Sequence, residues 1–431
     1  MFLKLHHNMI LVMRRGGTIG RGRAKGSFMS QVLGRKQLMV MGAGAALLAV
    51  VLGVRQGFGF YLVPMTVELD WSRELFGLAM AIQNLLWGAS QPFVGGLADR
   101  YGSGRVIVGG AICYAVGVVG MASAVTPTEL LITGGVLIGL GMSGVGMSVV
   151  YGAVARMVVP ERRTYAMAMV STIGALGPFL IPMVTEVVIG AYGWYVSLLA
   201  TAVIVAMMIP LGGMIRGKSE DETGVKVQSW TAALGEARKN RGYLLLVAGF
   251  FVCGFHVTFI GTHLPGFVAW CGLGAGVAGI AFVLIGGGNI AGTFLAGVLS
   301  NKFRQKNLLS LIYLGRAALI AWMMLMPKTE MTIYIFSGIF GLLWLSTVPL
   351  TSGVVAKIFG ARHLGMLFGL VFFSHQVGAF LGAWLGGLNF DVTGDYNNTW
   401  YASILLGLLA AALHWPIRDQ PVERLLTPKT A

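Results

Sequence analysis

The sequence predicts an all-α membrane protein of twelve transmembrane helices, arranged as two pseudo-symmetric six-helix bundles. Three observations predict it: too little charge for a surface in water, twelve apolar runs long enough to cross a bilayer, and a repeat that overlays the two halves. Of 431 residues, 56% are apolar and 11% are charged, against about 25% charged in soluble domains. A chain this long and this poor in charge cannot cover itself in water, so its solvent is largely lipid. The 64 glycines fit membrane helices, where small residues let backbones approach. The net charge of +15 does not signal nucleic acid, because the basic residues fall between apolar runs and form no single patch. Cys113, Cys253 and Cys271 are scattered, with neither metal-ligand spacing nor a disulfide framework. No cofactor is expected.

A membrane helix needs roughly 20 mostly apolar residues. The twelve runs lie at 38–65, 75–97, 106–125, 130–155, 165–190, 194–214, 243–268, 275–299, 308–326, 331–356, 364–388 and 399–417. Lysine and arginine mark the cytoplasmic side. The segment before the first run carries Lys4, Arg14, Arg15, Arg21, Arg23, Lys25, Arg35 and Lys36 and no acid. The gaps after even-numbered runs continue the pattern with Arg100, Arg105, Arg156, Arg162, Arg163, Lys302, Arg304, Lys306, Lys357 and Arg362. The opposite gaps hold Arg73 and Lys328 among Glu68, Asp70, Glu74, Glu129, Glu330, Asp391 and Asp395. Both termini are therefore expected in the cytoplasm, which requires an even number of spans. The apolar stretch Met9–Met13 is too short for a secretory signal, and Met29 is an alternative initiator.

These runs divide the chain into a basic tail (1–37), a first bundle (38–214), a linker (215–242), a second bundle (243–417) and a short tail (418–431). In the linker, Ser229 is placed to cap a short helix to Asn240. Trp230, Ala233, Leu234 and Ala237 would share one face of it, suited to the membrane surface. A monomer is expected.

The halves overlay at a shift of 201 or 202 residues. Gly53, Arg55 and Pro64 fall on Gly254, His256 and Pro265; Gly95 and Asp99 fall on Gly297 and Asn301; Arg156 falls on Lys357, and Gly177 on Gly378. Parallel six-span repeats are a known transporter architecture, with the substrate site near the midplane between them.

The gap after the second run reads Gly95-Gly-Leu-Ala-Asp99-Arg100-Tyr-Gly102-Ser-Gly-Arg105. It resembles the signature loop of the major facilitator superfamily. By that resemblance Gly95, Asp99, Arg100, Gly102 and Arg105 gate the cytoplasmic side, with the aspartate facing a helix N-terminus of the other half, where the helix dipole favours an anion. The stretches Cys253-Gly-Phe-His256-Val-Thr-Phe-Ile-Gly-Thr-His263-Leu-Pro265 and Ser374-His375-Gln376-Val-Gly378 resemble bacterial carriers grouped with monocarboxylate porters and oxalate–formate exchangers. That resemblance implies the inner membrane of a bacterium. Where monocarboxylate porters carry an arginine in the eighth span, this chain offers Asn289 and Thr293.

Arg55, Glu186 and Arg316 are the permanently charged groups well inside runs. Such groups are costly, roughly 2.5–3.5 kcal/mol at mid-helix on insertion scales, and are functional candidates by default. Arg55 offers a planar fork of donors matched to carboxylate; the alternative is an ion pair with Glu186. The repeat puts His256 across from Arg55, and histidine titrates near neutrality; the alternative is a neutral histidine bonded to a neighbouring helix, the reading preferred for His263. His375, by resemblance, lines the site with Asn289; the alternative is a polar packing network. The substrate-binding set is thus Arg55, His256, Asn289, Thr293, His375 and Tyr151, with Gln83, Asn84 and Gln91 as further polar lining. Glu186, His256 and His375 are candidates for proton coupling. Arg316 is expected to anchor its helix by reaching the cytoplasmic surface.

The leading function is secondary transport of a small organic anion by rocking of the two halves, with protons as a coupling partner. The alternatives are an exporter of amphipathic toxic compounds and a non-transporting sensor on the same fold. The sequence has no metal cluster, paired carboxylates within one run or nucleophile elbow, so an enzyme is not expected.

Overall fold

A computed structural model describes residues 34–157, 163–215, 230–360 and 364–422. The basic tail to residue 33, the linker from Arg216 to Ser229, and Arg162 and Arg362 lie outside the described residues. Span 1 comprises the helix Arg35–Gly57, a 3-10 turn Phe58–Tyr61 and the helix Leu62–Glu68. Pro64 explains the tightening. It lacks an N–H, and its ring crowds the carbonyl four residues back, so the regular ladder cannot run through it.

Among the described residues, nine helices are long and apolar enough to cross a membrane. One of them, Met169–Met214, bends at Gly193 (φ 81°) and supplies spans 5 and 6. Span 2, Arg73–Tyr101, and span 12, Asn397–His414, bring the total to twelve. Span 2 is longer than its apolar run. Ser72 caps it by accepting the Leu75 N–H at 3.0 Å, and Gly102 ends it at φ 94°, a conformation that favours glycine. Span 3 is Ser103–Ala122; span 4 runs from Pro127 to Met157; span 7 is Arg241–Trp270; span 8 is Ala275–Leu299; span 9 is Gln305–Leu325; span 10 runs from Glu330 to Phe359; span 11 is Leu364–Thr393.

The repeat is visible in the backbone. Span 4 stops at Gly144 and restarts at Met147, and span 10 stops at Leu343 and restarts at Thr347. Spans 1 and 5 touch through Gly53 and Gly177, where any side chain would strike the opposite backbone. Spans 7 and 11 touch the same way through Gly254 and Gly378. These are the glycine pairs that the sequence shift matched.

From Met39 onward the chain forms one compact unit. The halves meet where span 11 lies along span 2, span 7 against span 1, and the long helix Gly177–Ala206 against span 8. Gly77, Gly88 and Gly95 are spaced eleven and seven residues apart and so share one face of span 2. Gly77 abuts the backbone of Ala383 and Gly88 abuts Gln376, both on span 11, but Gly95 faces open space. The halves are therefore shut on the far side and part toward the side that carries the chain ends, here called the tail side.

Two expectations are corrected. The linker helix Trp230–Lys239 does not lie on the membrane by its small face. Ala233 and Ala237 are buried, and Ala237 joins the core with Tyr243 and Leu246, because alanines let the helix pack closely on the bundle. Arg316 does not reach the surface either. It is fully buried and turned inward to the break in span 10, where it donates to the carbonyls of Leu343 and Trp344. On the tail side, Asp419 binds Arg304 and Lys357, tying spans 9 and 10 to the segment after span 12. Burial pushes the Asp419 carboxyl up, but the hydrogen bonds from Lys357 and Arg304 prevail and hold it down at about 2.

Candidate functional site

Arg55 lies on span 1, one turn before the 3-10 segment, at the depth where the halves touch. Its Nε and Nη2 both donate to Asn84 Oδ1 on span 2, at 3.0 and 2.6 Å. Nη2 also donates to Thr258 Oγ1 on span 7 at 3.1 Å, so the guanidinium joins the two halves. The Trp87 ring lies 5.3 Å away and adds a cation–π contact. Asn84 is held from two sides. Its side-chain amide donates to the Met80 carbonyl at 2.7 Å, and its backbone carbonyl accepts from Gln376 Nε2 on span 11 at 3.0 Å. Gln376 Oε1 in turn accepts from His375 Nδ1 at 2.8 Å. A polar chain thus passes from Arg55 in one half through Asn84 to Gln376 and His375 in the other.

The gap beside Arg55 is small, about 10 Å³, which is room for roughly one water. Arg55 Nη1 has no partner among the described residues, Gln56 Nε2 is buried without one, and no carboxylate lines the gap. A bound anion would satisfy these donors.

The structure separates the other sequence candidates. Arg55 and Glu186 are not paired; Glu186 sits in a separate cavity toward the far side. His256 does not face Arg55. It is fully buried, and its Nε2–H donates to the Ser403 carbonyl on span 12 at 2.8 Å. Thr258 takes the facing position, because two residues along a helix rotate a side chain by about 200°. His263 donates to the Ala383 carbonyl at 2.7 Å. Asn289 is engaged by the broken helix: its Oδ1 accepts the Leu345 N–H at 3.1 Å and the Thr293 hydroxyl at 3.4 Å. Tyr151 joins spans 4 and 5 through Ser171. Of the six expected substrate residues, Arg55 and His375 belong to one connected network. Sequence reasoning passed over Gln56 and Thr258, each a single polar residue beside a flagged one. Gln376 was quoted only as part of the Ser-His-Gln stretch.

The far-side seal is built on Asp391 at the end of span 11. Its carboxylate accepts the backbone N–H groups of Arg73 and Glu74 at 3.1 and 2.5 Å, capping the first turn of span 2 across the halves. An anion there is favoured by unsatisfied N–H groups and the helix dipole. Arg73 donates to Tyr396 Oη at 2.6 Å and lies 3.6 Å from the Phe390 ring centroid. Trp384 Nε1 donates to Glu74 at 3.0 Å. Asp391→Ala should weaken this seal by about 1–2 kcal/mol. Impermeant-maleimide labelling of a Thr262→Cys reporter from the far side should then rise roughly tenfold. An unchanged labelling rate would remove Asp391 from the gate.

Sequence comparison matches residues 46–350 and 272–431 to the Major Facilitator Superfamily. The chain belongs to this superfamily. As a member, it is a multi-pass secondary transporter of a small-molecule substrate and not an enzyme. It is 25% identical over 356 residues, 79% of this chain and 85% of the relative, to the uncharacterized MFS-type transporter YcxA of Bacillus subtilis. It is 22% identical to monocarboxylate transporter 13 of Rattus norvegicus, covering 81% of each. Among solved structures, a D-xylose–proton symporter superposes with a TM-score of 0.70 at 14% identity, covering 90% of this chain and 99% of that one. A bacterial homologue of the human lysosomal transporter Spinster gives 0.71 at 14% identity, covering 89% and 97%. The superfamily loop after span 2 lies on the open side. Gly95 is unpacked there, Gly102 makes the turn, Arg100 stacks near Tyr101, and Arg105 is exposed. The side chain of Asp99 lies outside the described residues. The chemistry expected of it, a carboxylate on a helix N-terminus of the other half, is present at the far side in Asp391.

Proposed function

We propose that this superfamily member carries a small organic anion, with Arg55 as its fixed positive partner, and that the tail side is cytoplasmic. The observation that carries the reading is the Arg55 guanidinium beside the buried, unpartnered Gln56 Nε2 on a gap with no carboxylate in its lining. A carboxylate is larger than this one-water gap, so it would accept from both once the halves part and widen it, with Thr258 as the contact from the second half. The rat relative's name, monocarboxylate transporter 13, agrees with an anionic cargo. Of the proton-coupling candidates, His375 is preferred. Its ring meets Gln376, so its protonation acts on the chain that reaches Arg55. His256 is sealed against span 12, and Glu186 lies off the chain.

The test is uptake into proteoliposomes of a labelled panel of short mono- and dicarboxylates, neutral sugars and amines. Carboxylates should be moved selectively, and His375→Gln should keep exchange while losing the response to an imposed proton gradient. Selective movement of sugars or amines would overturn the anion reading; a His375→Gln protein still driven by protons would overturn the coupling role.

A further inference from the structure

A second cavity, about 460 Å³ in volume, lies between spans 1, 5, 7 and 8 on the far side. That volume falls within the roughly 300–1,000 Å³ range of small-molecule sites. It shares no lining residue with the gap beside Arg55. Its walls are mostly apolar, from Phe60, Val63, Ile189, Val268 and Leu273. Two carboxylates complete it, and no lysine, arginine or histidine lines it. Glu68, at the rim, accepts the Trp194 indole N–H at 2.6 Å. Glu186 is the inner one. It is half-buried, has no ion-pair partner among the described residues, and rests against Gly279 of span 8, where a side chain would displace it.

An unpaired carboxylate inside an apolar wall is costly to hold in a membrane protein. A strongly hydrated cation would not repay loss of its water in so apolar a site, and an anion would meet two like charges. The complementary ligand spreads one positive charge over an apolar body. We propose that this cavity is a binding site for lipophilic monocations, with Glu186 as the counter-charge. The site is independent of the anion reading, because the two cavities share no residue.

The test is equilibrium binding of radiolabelled tetraphenylphosphonium to the purified full-length protein, with tetraphenylborate as the competitor of equal shape and opposite charge. Glu186→Gln is expected to weaken binding about tenfold, Glu186→Asp to retain most of it, and Ala269→Trp, which fills the cavity without touching the carboxylate, to abolish it. Arg55→Gln should bind the cation as the wild type does. Unchanged binding in Glu186→Gln and Ala269→Trp, or competition by tetraphenylborate as strong as by the unlabelled cation, would overturn the proposal. Loss of carboxylate uptake with cation binding intact would bear on the Arg55 reading alone.

Discussion

Arg55→Gln is expected to lower carboxylate uptake about 100-fold while the protein still folds. Truncating one side of a buried, hydrogen-bonded charge pair costs roughly 2–5 kcal/mol, and each 1.4 kcal/mol is about tenfold. Glutamine keeps a donor for Asn84 but has neither the charge nor the free Nη1. Asn84 retains its bonds to Met80 and Gln376, so the helix contacts around the site survive and the thermal midpoint in detergent should stay close to wild type. Arg55→Lys should recover only part of the rate. An ammonium is a compact point charge that cannot bridge Asn84, Thr258 and a bound anion in one plane as the fork does. Initial rates in proteoliposomes at matched protein density decide the matter, and a wild-type rate in Arg55→Gln would exclude the anion role.

Arg316→Met is expected to destabilise the protein by about 3 kcal/mol, read as a clear fall in the detergent thermal midpoint. The helix Glu330–Leu343 ends within span 10, beside the buried Trp344, leaving its last carbonyls without helical partners. Arg316 Nε and Nη2 donate to the Leu343 carbonyl at 3.1 and 2.6 Å, and Nη2 also reaches the Trp344 carbonyl. A cation at a helix C-terminus is further favoured by the dipole, and the rings of Tyr313 and Phe340 lie within 5.2 and 5.7 Å of the guanidinium. A buried polar group left unmatched costs about 1–3 kcal/mol, and methionine would strand two carbonyls. The opposing effect is relief of the buried charge, since Arg316 Nη1 has no partner. We expect the stranded carbonyls to outweigh that relief, because no other donor reaches them among the described residues. Asn289→Leu, which removes the acceptor of the Leu345 N–H at the same break and of the longer Thr293 hydroxyl contact and strands no carbonyl, should cost less. An unchanged midpoint in Arg316→Met would show that the guanidinium adds no net stability.

Much of the architecture was legible before any coordinates. Hydropathy gives twelve spans and the charge pattern requires an even number, because the bilayer imposes one length and one polarity on every span. The glycine matches at 53, 177, 254 and 378 were legible because close backbone packing admits no other residue there. Arg55 was singled out as a candidate by its place inside a span and its charge alone. The errors fall where a side chain's direction mattered. His256 matched Arg55 in register but turns toward span 12, Arg316 turns inward instead of to the surface, and Asn289 serves a helix break that hydropathy does not mark.

The twelve spans, the duplication and a charge inside the first span therefore follow from composition and spacing, since these depend on the solvent and on backbone contact. The partners of that charge do not. Asn84, Thr258 and Gln376 come from three other spans, and their meeting depends on how the halves rotate against each other. The far-side latch is set by the same rotation: it carries Asp391 onto the first turn of span 2. A one-dimensional pattern carries depth, but the angle at which each side chain leaves its helix is set by packing.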